Sequence, residues 1–155
     1  MFLKVKWKTL IFCIAVPIFI GVSASIISRE NMFMFDMIIK PNFSPPGWLF
    51  PVVWTILYIL MGIASYLILT SYKNINSAIK FYILQLAFNF FWTIWFFNFQ
   101  LYWFSFLWLI FLWIFIFITI LKFYQISKIA AYIMLPYLIW VTFAGYLNLS
   151  IAILN

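Results

Sequence analysis

Five stretches of this chain, 9–28, 48–71, 79–98, 102–121 and 129–154, run for twenty residues or more with a single charge, Lys80, among them. An α-helix needs about 20 apolar residues to cross the hydrocarbon core of a bilayer. Inside that core every backbone N–H and C=O must be satisfied within the protein, which leaves helices and closed barrels. Barrel strands would be shorter, about ten residues, and would alternate in polarity. These runs are continuous, so the pattern predicts an all-α membrane protein: a five-transmembrane-helix bundle forming one domain over residues 1–155. Composition agrees. Charged residues make up 7% of the chain and hydrophobic ones 69%, whereas a soluble domain carries about a quarter charged residues to cover its surface.

A net charge of +7 raises the question of nucleic acid. The lysines, however, sit at the ends of apolar runs and build no basic face, so no nucleic acid is expected. They read instead as interface anchors and topology signals. One side of the bundle collects Lys4, Lys6, Lys8, Lys73, Lys80, Lys122 and Lys128; the other has Arg29 and Lys40 beside Glu30 and Asp36. The excess of positive charge on cytoplasmic loops then predicts a multi-pass protein of the cell membrane. Its N-terminus is cytoplasmic, and the long first loop and the C-terminus lie outside. A competing reading takes Lys4–Lys8, the apolar run and Ser23-Ala24-Ser25 as a signal peptide with a cleavage site, which would leave four spans. The length of the run, with Pro17 and Gly21 in it, favours a packed helix.

Three connections are short: 71–78, 99–101 and 122–128. The first, 29–47, is long and holds the only Glu, the only Asp and the run Lys40-Pro41-Asn42-Phe43-Ser44-Pro45-Pro46-Gly47. Its prolines remove donors and force extended backbone before the second span. A long ordered loop beside a bundle is often a lid over a binding site; the plain alternative is a linker.

Much chemistry is excluded by composition. The chain has no His, hence no histidine acid–base pair, no histidine metal ligand and no Ser–His–Asp triad. Its single Cys13 and two loop carboxylates supply no zinc or di-iron set, and Cys13 reads as a small buried hydrophobe. Conventional hydrolytic or metal catalysis is not expected. What remains lies inside the spans. Gln85, Asn89, Trp92 and Phe96 share one face of the third helix, and Trp140, Ala144 and Asn148 one face of the fifth, flanked by Phe143. The second span offers Trp54, Tyr58 and Ser65. Unpaired amides are costly in hydrocarbon, so these faces should point inward, with Ala144 and Gly145 leaving room beside Trp140. Against a pocket stand two plainer roles: amides as interhelical glue, and aromatic stripes as packing. Trp7, Trp48, Tyr102 and Trp103, near span ends, fit the interfacial aromatic belts.

Several of these segments resemble a known family. Lys40-Pro41-x-Phe43-x-Pro45-Pro46-Gly47-Trp48, followed by Pro51-Val52-Val53-Trp54-Thr55-Ile56-Leu57-Tyr58 and Met61-Gly62, is similar to the loop and second helix of the tryptophan-rich sensory protein/translocator protein (TspO/MBR, peripheral benzodiazepine receptor) family. Gln85-x-x-x-Asn89-x-x-Trp92-x-x-x-Phe96-Phe97 resembles its third helix, and Pro136-Tyr137-Leu138-x-Trp140-x-x-Phe143-Ala144-x-Tyr146-Leu147-Asn148 its fifth. The resemblance implies a five-helix bundle, often a homodimer, whose first loop closes over a pocket for porphyrins, haem-like molecules and aromatic drug-like ligands. Some bacterial members are reported to promote light-dependent porphyrin breakdown. It implies ligand-binding roles for Trp54, Asn89, Trp92, Trp140, Phe143, Ala144, Leu147 and Asn148, and lid roles for Asp36, Phe43, Pro45 and Pro46.

The chain departs from that pattern in places. Met34-Phe35 precedes Asp36 where an aromatic pair is usual, Phe43 replaces the lid Trp, Trp108 stands where the fourth helix usually has Asp, and a C-terminal sterol motif is absent. The expectation is therefore a membrane-embedded binding protein for a hydrophobic small molecule, with no required cofactor and with porphyrin or haem as ligand. Its role would be sensory or regulatory in tetrapyrrole metabolism. The alternatives are light-dependent porphyrin degradation, with Trp92 or Trp140 as redox partner, and transport. Transport is disfavoured by the lack of inverted repeats or charged broken helices.

Overall fold

A computed structural model of the chain describes residues 5–155; Lys4, counted above among the basic residues of one side, lies outside them. Five helices are long and apolar enough to cross a membrane: α1 (Trp7–Met32), α3 (Leu49–Leu69), α4 (Asn76–Thr93, continued by a π-helical turn, Ile94–Asn98), α5 (Tyr102–Ile126) and α6 (Lys128–Leu154). A one-turn helix, α2 (Met34–Met37), lies in the first connection. Around the bundle the neighbours run α1, α3, α6, α5, α4 and back to α1. Alternating helix direction gathers Lys6, Lys8, Lys73, Lys80, Lys122 and Lys128 at one end and the first connection at the other.

The helices overrun the expected spans. Hydropathy marks where lipid ends, not where hydrogen bonding ends. Thus α1 continues through Arg29 and Glu30 to Met32, shortening the expected 29–47 loop by its first four residues. Likewise α5 and α6 consume the 122–128 connection except for Ser127. Extended there (φ −144°, ψ 113°), Ser127 accepts the Ala130 N–H at its Oγ, 3.3 Å away, and so caps α6. The turn 99–101 is made by Gln100, whose φ of 51° is left-handed.

Packing follows side-chain size. The buried face of α1 is Cys13, Pro17, Gly21, Ala24 and Ser28, a stripe of small residues that lets α3 approach closely. The core between α3, α4, α5 and α6 is made of larger side chains, including Met61, Leu112, Ile116, Met134 and Val141, all fully buried. Within that dry interior Gln85 and Asn89 stand at 0% and 1% exposure, the inward placement that desolvation demands.

Candidate functional site

Towards the end of the bundle that carries the first connection, α1, α3, α4 and α6 part around a cavity of about 690 Å³, within the range of small-molecule sites. One face of α1 forms a wall: Val22, Ser25, Ile26 and Arg29, spaced i, i+3, i+4, i+7. Opposite it α3 presents Phe50, Trp54, Thr55 and Tyr58, while α6 adds Ala144, Leu147, Asn148 and Ile151. The far wall is Trp92 with Phe96 and Phe97 of the π-turn. Such a turn widens the helix locally and often marks a working site. Phe35 and Asp36 of α2 close the top.

The lining is largely aromatic. Trp54 stacks on Tyr58 (centroids 5.6 Å apart, planes at 28°) and lies 6.3 Å from Trp92, which stacks on Phe96 at 5.6 Å. In the roof Phe35 meets Phe50 edge-on at 5.5 Å, and Lys40 Nζ sits 4.5 Å above the Phe35 ring while pairing with Asp36 at 3.6 Å. The connection is tied down beyond α2: the Asn155 side chain accepts the Ile39 N–H at 3.0 Å and donates to the Ile39 carbonyl at 2.9 Å.

Polar groups in and below the cavity are mostly committed. Asn148 Oδ1 accepts from Trp92 Nε1 at 3.0 Å and has Ser105 Oγ at 3.1 Å, and its Nδ2 donates to the Tyr102 carbonyl at 2.8 Å. One amide N–H is left for a ligand. Below the floor Tyr58 donates to Asn89 Oδ1 (2.9 Å), Asn89 Nδ2 donates to the Tyr137 hydroxyl (3.1 Å), and Tyr137 donates to Gln85 Oε1 (2.8 Å). This relay joins α3, α4 and α6 and fixes the orientation of the Tyr58 ring that forms the floor. Among the described residues no cluster of three or more His, Cys, Asp or Glu could hold a metal ion.

The cavity gathers Trp54, Trp92, Ala144, Leu147 and Asn148 from the expected set, with Asp36 from the lid. Asn89 lies beneath it in the relay rather than in its wall. Trp140 is separated from it by Phe50, whose ring it meets edge-on at 5.9 Å, and Phe143 packs against Trp140 at 5.5 Å. Phe43 is 78% exposed and, like Pro45 and Pro46, does not line the cavity. The Pro46 carbonyl instead accepts the Leu49 N–H at 3.0 Å as α3 begins. Gly145 faces α5, where an added Cβ would meet Leu109 Cδ2, while Trp108 stacks on Phe88 at 4.2 Å between α4 and α5.

Sequence reasoning missed the α1 wall and the two phenylalanines of the roof. A clue existed in Gly21 and Ser25, four apart in an otherwise bulky span. A Cβ at Gly21 would clash with the edge of the Tyr58 ring, so this glycine is what lets the floor of the cavity reach α1.

Comparison with known proteins adds an independent line. The family model described as TspO/MBR family matches residues 12–154. The Tryptophan-rich protein TspO of Chlorobaculum tepidum is 38% identical over 151 residues, 95% of this chain and 96% of that one. The Tryptophan-rich sensory protein of Cereibacter sphaeroides is 36% identical over 121 residues (78% and 76%). The human Translocator protein is 30% identical over 132 residues (82% and 78%).

Proposed function

Since this chain belongs to the TspO/MBR family of multi-pass membrane proteins, we propose that it is a membrane-embedded binding protein for a flat, largely apolar ligand of the porphyrin or haem kind. The carrying observation is the cavity of about 690 Å³ whose walls include Trp54, Trp92, Phe96 and Phe97, with one uncommitted amide N–H at Asn148. Stacked aromatic pairs contribute about 0.5–1.5 kcal/mol each beyond area burial. Two or three, with burial of the ligand, support micromolar binding. Bilayer lipid is the solvent of the outer helix faces, the basic end of the bundle is cytoplasmic, and the working unit is a homodimer.

The chain has no imidazole, and the Tyr58 hydroxyl is engaged by Asn89. The porphyrin is therefore held by its ring faces and not through its central metal. Absorbance and tryptophan-quenching titrations in detergent with free-base and iron protoporphyrin test this. Both bind with comparable affinity, and Trp54→Ala weakens both about tenfold. Strong preference for iron, or indifference to Trp54, refutes the reading.

A further inference from the structure

Two charged side chains line the cavity, Arg29 and Asp36, and their situations differ. Asp36 has its counter-ion, Lys40, at 3.6 Å. Arg29 has none: among the described residues its guanidinium makes neither an ion pair nor a hydrogen bond, and the one ion pair found is Lys40–Asp36. Its neighbour Glu30 lies on another face of α1, away from the cavity. With Asp36 balanced by Lys40, the positive charge of Arg29 is left uncompensated.

A plain account of Arg29 is available. It sits in the last turn of α1, where a cation suits the helix dipole and can snorkel to the interface. That account explains a cation at this height but not the face it occupies. Arg29 continues the row Val22, Ser25, Ile26 that borders the cavity. Its planar fork of donors therefore stands at the rim of an aromatic chamber without a protein acceptor. A guanidinium pairs with a carboxylate by two parallel hydrogen bonds, and does so most strongly where water is scarce.

We propose that the cavity selects apolar ligands bearing a carboxylate, and that Arg29 is the residue that reads it. The inference rests on the binding role proposed above and adds its polarity: the flat body lies against Trp54 and Trp92, and the anionic edge points to the α1 rim. The carboxylate could belong to a tetrapyrrole side chain or to a fatty acid arriving from the bilayer. Val22 and Ile26, 51% and 67% exposed, border the same space.

The test compares protoporphyrin IX with its dimethyl ester, identical in ring and neutral at the edge, by tryptophan quenching in a non-ionic detergent. Wild type binds the free acid about tenfold more tightly, the ordinary size of one charge-assisted hydrogen bond. Arg29→Gln removes that preference, the acid then binding no more tightly than the ester, and measurable ester binding shows that the variant is folded. Arg29→Lys keeps part of the preference. Lys80→Gln, the same loss of charge at the opposite end, keeps all of it. Equal affinity of wild type for acid and ester, survival of the preference in Arg29→Gln, or its loss in Lys80→Gln overturns the proposal. If the ester binds and depends on Trp54 while no acid preference exists, the carboxylate inference alone falls; if neither porphyrin binds, the binding role falls with it. Oleate separates the sources. Displacement of the porphyrin that depends on Arg29 admits acyl carboxylates as ligands, and absence of displacement confines the site to the tetrapyrrole carboxylate.

Discussion

At Gly62 the α3 helix comes directly against the backbone of α1. A Cβ placed on Gly62 of α3 would stand 2.5 Å from Ile14 Cα and 2.8 Å from the Cys13 carbonyl oxygen of α1. Ordinary contacts between carbons fall at about 3.5–4.0 Å, so Gly62→Ala must drive α1 back by about 1 Å. The opposing atoms are backbone and cannot rotate away. Forced overpacking of this kind costs about 1–3 kcal/mol, set against the helix propensity that Ala regains over Gly, about 1 kcal/mol. Gly145→Ala provides the internal reference. Its Cβ would lie 3.2 Å from Leu109 Cδ2, the movable end of a side chain, and its propensity gain is the same. The difference between the two variants isolates the backbone contact: Gly62→Ala should be less stable than Gly145→Ala by about 1–3 kcal/mol. The measurement is the midpoint of SDS-induced unfolding in mixed micelles, followed by tryptophan fluorescence. Since the α1–α3 seam continues upward through Gly21 and Tyr58 into the cavity wall, Gly62→Ala should also weaken porphyrin binding. Equal midpoints for the two variants refute the argument that α1 and α3 meet backbone to backbone at this level.

Two further outcomes follow from the polar contacts. Tyr137→Phe removes the hydroxyl that donates to Gln85 and accepts from Asn89, leaving two amides short of a partner in a dry core. It should lower the same unfolding midpoint by the equivalent of about 1–3 kcal/mol, and an unchanged midpoint would show that the relay is not holding α6 to α4. Asn155→Ala removes both bonds to the Ile39 backbone. Hydrogen exchange of the Ile39 amide should then speed up about tenfold, and an unchanged rate would mean that the connection is held over the cavity by Phe35 alone.

What the sequence could show divides along physical lines. Polar atoms in hydrocarbon are expensive, so Gln85, Asn89 and Asn148 announced inward-facing helix surfaces, and all three are buried. The cost of burial is the same for an amide that lines a cavity and one that ties helices together, however. Asn89 and Asn148 differ only in what surrounds them, and the Tyr58 and Tyr137 hydroxyls that claim Asn89 come from other helices. The α1 wall was illegible for the opposite reason. In a membrane an apolar side chain facing lipid and one bordering an apolar cavity carry no distinguishing chemistry, so Val22 and Ile26 look like any other lipid-facing residues.

Depth in the bilayer was similarly uninformative about direction. Trp54 and Trp140 sit well inside their spans, yet the ring of Phe50 stands between Trp140 and the space that Trp54 borders. That intervening ring has a consequence for the cavity's size. Phe50 touches Phe35 on one side and Trp140 on the other, so the roof and the second indole are coupled through a single side chain. A rotation of Phe50 would lengthen the chamber towards Trp140, whose buried Nε1 has no acceptor among the described residues. The reach of the chamber on the Trp140 side is therefore set by one phenylalanine at the start of α3.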